Sequence, residues 1–286
     1  MKNVTIGYGN KIDTATLSGG SWQATLPLNN LKNRRLSKLA RSTNATNAFT
    51  KFVVDLGSAQ NVQCIALILH NISVSGTVQI KGNATNVFTA PSYDSGVVQA
   101  YSSGVIPPEL LEWEEDNFWL GTLSQQALAG YRAPFFLLLP SAQFLRYWQF
   151  EVFDASNPDG YLQIGRVFIG KQFTPTRNMA YGQSLGDSDD SIFETSLTGE
   201  EFIDQRTTFR THKFELQLLS KTEAYSGILD IQRTTGITKE IFLVGDNDDT
   251  SNINRRSFLG RFKMLNPIVQ KTPSLYSCQF EIKEII

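Results

Sequence analysis

Few side chains in this sequence have the type and spacing that covalent chemistry needs. His70 and His212 are the two histidines. His212 falls on the apolar side of an alternating run, where a hydrogen-bonded core imidazole is expected rather than a general base. His70 closes an apolar run beside Asn71, a position suited to holding a loop. Cys64 and Cys278 lie inside strand-like apolar runs and read as small buried hydrophobes, not as a disulfide. Oxygen ligands gather at Asp187-Ser-Asp-Asp190 and Asp246-Asn-Asp-Asp249, the donor type that calcium takes. Neither has the EF-hand spacing, and Asp and Asn at this density form turns through their own side chains, so turns are expected. Glu109, Glu112, Glu114, Glu115 and Asp116 are too local in sequence to oppose one another across a sugar as a glycosidase pair. No Gly-x-Ser-x-Gly elbow, His-Glu-x-x-His helix, Walker loop or Rossmann fingerprint is present. The expectation is a chain without catalytic residues, metal ligands or cofactor.

The elements that would position any site are β-strands. In Phe52-Val-Val-Asp-Leu-Gly57, residues 52, 54 and 56 share one face and Asp55 the other, a period of two. Cys64 to Leu69 is apolar on both faces, as in a strand at the centre of a sheet. Trp148, Phe150 and Val152 alternate with Gln149 and Glu151. Asn157-Pro-Asp-Gly160 predicts a turn closing a hairpin onto Leu162 and Ile164. Further strands are expected near 76–81 and 135–139, with long connections across 82–130. Residues 173–179 read as a linker and 181–195 as an exposed loop. Beyond them, His212, Phe214, Leu216 and Leu218 alternate with polar residues. Ser220-Lys-Thr-Glu223 is a capping box for a helix running to about Thr235, with Ala224, Ile228 and Ile231 inward and Gly236 as its stop. Strands follow at 239–244, 256–265 and 276–283. The reading is a mainly β chain with two domains, 1–172 and 173–286. The first is a jelly-roll β-sandwich, the second a smaller β-barrel or sandwich with one packed helix.

A net charge of −1 lacks the electrostatic footprint of a nucleic-acid binder. The basic cluster of Lys32, Arg34, Arg35, Lys38 and Arg41 reads as a solvated face or a subunit contact. No apolar run is long enough to span a membrane, and no secretion signal follows Met1.

Val53 to Gly57, Arg146 to Phe150 and Ile164 to Gly170 resemble the motifs of the discoidin, or coagulation-factor C-type, module, a galactose-binding-like jelly roll. Asn47-Ala-Phe-Thr50 stands where that family carries a Trp-bearing segment. The resemblance implies carbohydrate binding by exposed aromatics set among polar groups. Trp113, Phe118, Trp119 and Tyr131 are the candidate sugar-contacting residues.

A wider set of residues resembles tail proteins of tailed bacteriophages. It comprises Trp22 to Leu31, Leu39-Ala-Arg-Ser42, Val54 to Gly57, Asn157 to Gly170, Arg177-Asn-Met-Ala-Tyr-Gly182 and Phe280-Glu-Ile282. That resemblance implies a non-enzymatic structural protein of the distal tail or baseplate. It would be assembled in the host cytoplasm and carried in the virion. It would form a trimeric or hexameric ring and contact other tail proteins through loops such as 82–130 and 181–208. The second domain is similar in element order to tail-tube and distal-tail units. Host cell-surface glycan is a further expected partner, and carbohydrate recognition alone is the alternative function.

Overall fold

A computed structural model describes residues 3–101 and 132–286. The chain is mainly β, built of antiparallel sheets in a sandwich. It divides into two compact units, Met1–Thr174 with Phe242–Phe258, and Pro175–Ile241 with Leu259–Ile286.

The first unit begins with β1 (Thr5–Tyr8), β2 (Thr16–Ser18) and β3 (Ala40–Arg41). Two 19-residue strands, β4 (Phe52–His70) and β7 (Phe135–Phe153), dominate it, with β5 (Thr77–Asn83), β6 (Tyr93–Gln99) and β8 (Gln163–Phe173) beside them. The two strand-like stretches Phe52 to Gly57 and Cys64 to Leu69 are therefore one bent strand. Its pairing with β7 shifts register between Asp55 and Gln60, and Gly57 there has φ +78°. Irregularities of this kind let one strand turn a corner and serve both layers of a sandwich. The early half of β4 pairs with β2 and with the late half of β7, which continues to β5 and β6. Its late half lies between the early half of β7 and β8, and β8 also pairs with β1.

The period-two pattern decides which residues fill the interior. Phe52, Val54, Trp148, Phe150 and Val152 are fully buried, together with Val78, Ile80, Ile65, Leu67, Ile164 and Ile169. Cys64 and Ala66, on the other face of β4, are also buried, in keeping with a central strand. Gln149 and Glu151 are buried too, although polar. Lys81 meets the Glu151 carboxylate at 3.0 Å and Lys51 approaches it at 3.7 Å, so lysine stems cover this stretch while their charges satisfy it.

One expectation is overturned. The turn at 157–160 exists, with the Gly160 N–H donating to the Asn157 carbonyl at 3.0 Å. It does not close a hairpin, because β4 lies between β7 and β8 in the sheet. The connection therefore steps over the end of β4. Turn chemistry dictates a local reversal but not which strand lies alongside.

The second unit opens with β9 (Ser184–Ser188) and the ribbon of β10 (Ile192–Thr195) and β11 (Glu201–Asp204), followed by β12 (Phe209–Leu219). The stretch expected as a loop at 181–195 thus contains strand, since β9 pairs with β12. A helix over 221–235 follows, with a π-helical segment at Glu223–Leu229. The capping box forms as its spacing demands. The Glu223 N–H donates to Ser220 Oγ at 3.2 Å, and Glu223 Oε2 accepts from the Ser220 N–H at 2.8 Å. Burial works against the Glu223 carboxylate, but these bonds and the Thr176 N–H outweigh it and hold the pKa at about 2. Ala224, Ile228 and Ile231 are fully buried, and Gly236 ends the helix at φ +58°.

The chain then contributes β13 (Ile241–Val244), whose residues 242–244 pair with β1 in the first unit. The second unit is completed by β14 (Ser257–Phe262), β15 (Val269–Gln270) and β16 (Tyr276–Glu284). There β16 runs antiparallel between β12 and β14. Among the described residues no helix is long and apolar enough to cross a membrane.

Candidate functional site

The proposed sugar contacts Trp113, Phe118, Trp119 and Tyr131 lie outside the described residues, as does the acidic stretch 109–116. The described residues bring together a different set, at the end of the first unit where β3 and β8 begin to pair.

Arg41 of β3 stands opposite Gln163, the first residue of β8. Its Nε and Nη2 donate to Gln163 Oε1 at 3.2 and 2.8 Å, and its guanidinium carbon sits 4.2 Å above the centre of the Tyr161 ring. Asn71, immediately after β4, locks the neighbouring turn. Its Nδ2 donates to Asp159 Oδ2 at 2.8 Å and to the Tyr161 carbonyl at 3.0 Å, and its Oδ1 accepts from the Gln163 N–H at 2.7 Å. Asn157 supports this turn by donating to the Asn71 carbonyl and to Asp154.

Each side chain at the surface of this platform is thus fixed through part of its bonding capacity. Arg41 Nη1, Gln163 Nε2, Asp159 Oδ1 and the Tyr161 hydroxyl have no further hydrogen-bond partner among the described residues. Planar donors and acceptors beside a half-buried aromatic ring, all held in place beforehand, can engage vicinal hydroxyl groups with little ordering cost.

Arg41 belongs to the basic cluster expected to be a solvated face or a subunit contact, and its side chain is partly buried. Arg41 packs on Tyr161, while Arg34 of the same cluster pairs with Asp13 at 2.8 Å. The available signal was Asn157-Pro-Asp-Gly-Tyr161, a turn that presents an aromatic residue. What it lacked was the partner strand.

The remaining candidates are structural. His70 Nε2 accepts the Phe135 N–H at 3.0 Å, so the ring proton resides on Nδ1. Burial lowers its pKa to about 4, which keeps the imidazole neutral at physiological pH. His212 is buried against Phe214, with Nε2 3.2 Å from Gln183 Oε1. Both cysteines are buried free thiols, and burial raises the pKa of each. Of the two acidic stretches expected as turns, the first begins inside β9 with Asp187 and Ser188, and local side-chain bonds hold the remaining residues. Asp189 Oδ1 accepts from the Ser191 N–H, Asp246 Oδ1 from the Asp248 N–H, and Asp249 Oδ1 from the Asn252 N–H. Among the described residues no group of three or more His, Cys, Asp or Glu is arranged to hold a metal ion.

The first unit also contains a cavity of about 470 Å³. Gln99, Tyr101, Phe135, Phe136, Asn247 and Asn254 line it.

The two motif stretches that drew attention in the sequence are tied directly. Arg146 clamps Asp55 through two bonds of 2.7 and 2.8 Å, while Asp55 Oδ1 also accepts the Gly57 N–H. The bonds from Arg146 hold the Asp55 carboxyl below the usual carboxylate range.

No protein-family model matches the sequence. No curated protein matches it either. Solved structures resemble part of it. CBM32-1 from a family 31 glycoside hydrolase of Clostridium perfringens is 11% identical with a TM-score of 0.37, over 57% of this chain and 99% of that one. The family 32 carbohydrate-binding module of C. perfringens NanJ, in complex with galactose, is 12% identical with a TM-score of 0.38, over 58% and 99%. A Streptococcus pneumoniae fucose-binding module is 8% identical with a TM-score of 0.35, over 57% and 98%.

Proposed function

We propose that the first unit is a non-enzymatic carbohydrate-binding module and that Arg41, Asp159, Tyr161 and Gln163 form its binding platform. The observation that carries this reading is the Arg41–Tyr161 stack, surrounded by polar groups that are fixed through some atoms and have others with no partner among the described residues. Trp113, Phe118, Trp119 and Tyr131 are proposed as additional contacts.

The test is glycan-array and calorimetric binding with the full chain, beginning with galactose- and fucose-terminated glycans. A hydrogen bond from a charged group contributes about 1.5–3 kcal/mol, so Arg41→Ala is expected to weaken binding by tenfold or more. Tyr161→Ala is expected to act in the same direction, with the fold checked by circular dichroism. Trp113→Ala and Trp119→Ala probe the additional contacts separately. Absence of binding across the array, or binding indifferent to both Arg41→Ala and Tyr161→Ala, would sink the assignment.

A second reading is favoured by the exposed ribbon β10–β11, which leaves large apolar side chains in solvent. In it the chain is a structural part of a phage distal tail or baseplate, and the platform faces host surface glycan. Antibody-gold electron microscopy of intact and disrupted particles is expected to place label at the tail tip. Unlabelled particles in both preparations would remove this reading and leave the first untouched.

A further inference from the structure

Among the described residues the ribbon β10–β11 pairs only with itself. An isolated two-stranded ribbon is marginal in water, because neither face is covered and both edges are open. This one exposes Phe193 at 65%, Leu197 at 110%, Phe202 at 60% and Ile203 at 59%. Phe193 and Ile203 pair directly on one face and Phe202 lies on the other, so both faces of this short element present apolar side chains that a partner could cover.

Charge restricts what can cover it. Residues 192–204 carry Glu194, Glu200, Glu201 and Asp204 and no lysine or arginine, and of these Asp204 pairs with Arg206 at 3.3 Å, which leaves the three glutamates. Symmetric pairing of one ribbon with another would set like charges side by side, so the partner must present positive charge. The same chain has such a face. Residues 14–54 contain no Asp or Glu. Of their basic residues, Arg34 pairs with Asp13, Lys51 with Glu151, and Arg41 is held by Gln163. Arg35 and Lys38 are exposed, and neither side chain meets a carboxylate among the described residues.

We propose that the acidic apolar ribbon of one copy docks on the Arg35–Lys38 face of a second copy. The contact joins two different surfaces, so repetition builds either a closed ring or an open filament. It is independent of the glycan platform, and it supplies a contact for the assembly reading without depending on where the chain resides.

Sedimentation velocity of the full chain tests it. Association is expected at about 20 mM salt and should weaken at about 1 M, where the screening length falls to about 3 Å. Phe202→Ser with Ile203→Ser should weaken it at least tenfold at both salt concentrations. Glu194→Lys with Glu201→Lys, and separately Arg35→Glu with Lys38→Glu, should each abolish it. Mixing those two charge-reversed variants should restore it, because each then presents what the other lacks. A chain that stays monomeric at low salt overturns the proposal. So does association indifferent to the ribbon variants, or a mixture that fails to associate. A monomer whose antibody nonetheless labels the phage tail tip rejects this contact alone and leaves the tail reading standing.

Discussion

Asp13→Ala is expected to destabilise the first unit by about 3 kcal/mol, near the lower end of what breaking a buried ion pair costs. Arg166 is completely buried, and its Nη2 is bonded to Asp13 Oδ1. Removing the carboxylate leaves the buried guanidinium without this charged partner, while its Nη1 still donates to the Leu31 carbonyl at 3.4 Å. The lower end applies because the Asp13 side chain itself keeps 31% of its surface exposed. Burial works against the Asp13 carboxylate, but the bonds from Arg166 and Arg34 outweigh it and hold its pKa below the usual range. A depressed native pKa fixes the sign. The pair contributes fully above the unfolded value of about 4, and its contribution is lost as pH falls through the native value below that. The stability gap between the native chain and Asp13→Ala should therefore close on acidification. Arg34→Ala is the control, since its exposed pair with Asp13 is expected to be worth less than about 1 kcal/mol. Urea unfolding followed by tryptophan fluorescence measures all of this, because Trp22, Trp113, Trp119 and Trp148 all precede residue 150. A loss in Asp13→Ala no larger than in Arg34→Ala would show that Arg166 does not need this partner.

Phe52→Ala and Phe150→Ala should each cost about 3–5 kcal/mol, the range for deleting a fully buried aromatic ring. The two residues face each other across the β4–β7 register, and their rings stack at 4.8 Å with an interplanar angle of 3°. Trp22 closes the edge of Phe52 at 5.9 Å. An aromatic pair contributes about 0.5–1.5 kcal/mol beyond the area it buries, so the double variant should lose less than the sum of the singles by that amount. A double-mutant cycle in urea measures the coupling directly. Strict additivity would mean that the rings act only as independent volume. Phe52→Leu, which keeps most of the volume but not the stack, should fall well short of the alanine loss.

This stack also shows how far the chain can be read without coordinates. The alternation at Phe52, Val54 and Leu56 and at Trp148, Phe150 and Val152 identifies both inner faces. Pleating makes a side chain's face a property of its position alone. The capping box of Ser220 and Glu223 is legible for a similar reason, since both partners lie within one helical turn. That the turn at 157–160 closes no hairpin was not legible. A turn fixes the direction of the chain over four residues, whereas the neighbour of β8 is decided by which strand best fills the adjacent sheet position, and that strand is β4.

The platform follows the same division. Residue order alone sets the side-chain types, the tight turn before Tyr161 and the polar start of β8. The packed fold is what brings Arg41, 122 positions before Gln163, to it and over Tyr161. It also decided that β13 would return to pair with β1. Local patterns follow from backbone geometry over a few residues. Contacts between distant segments depend on which faces remain to be buried once the sandwich has closed, and that is a property of the whole chain.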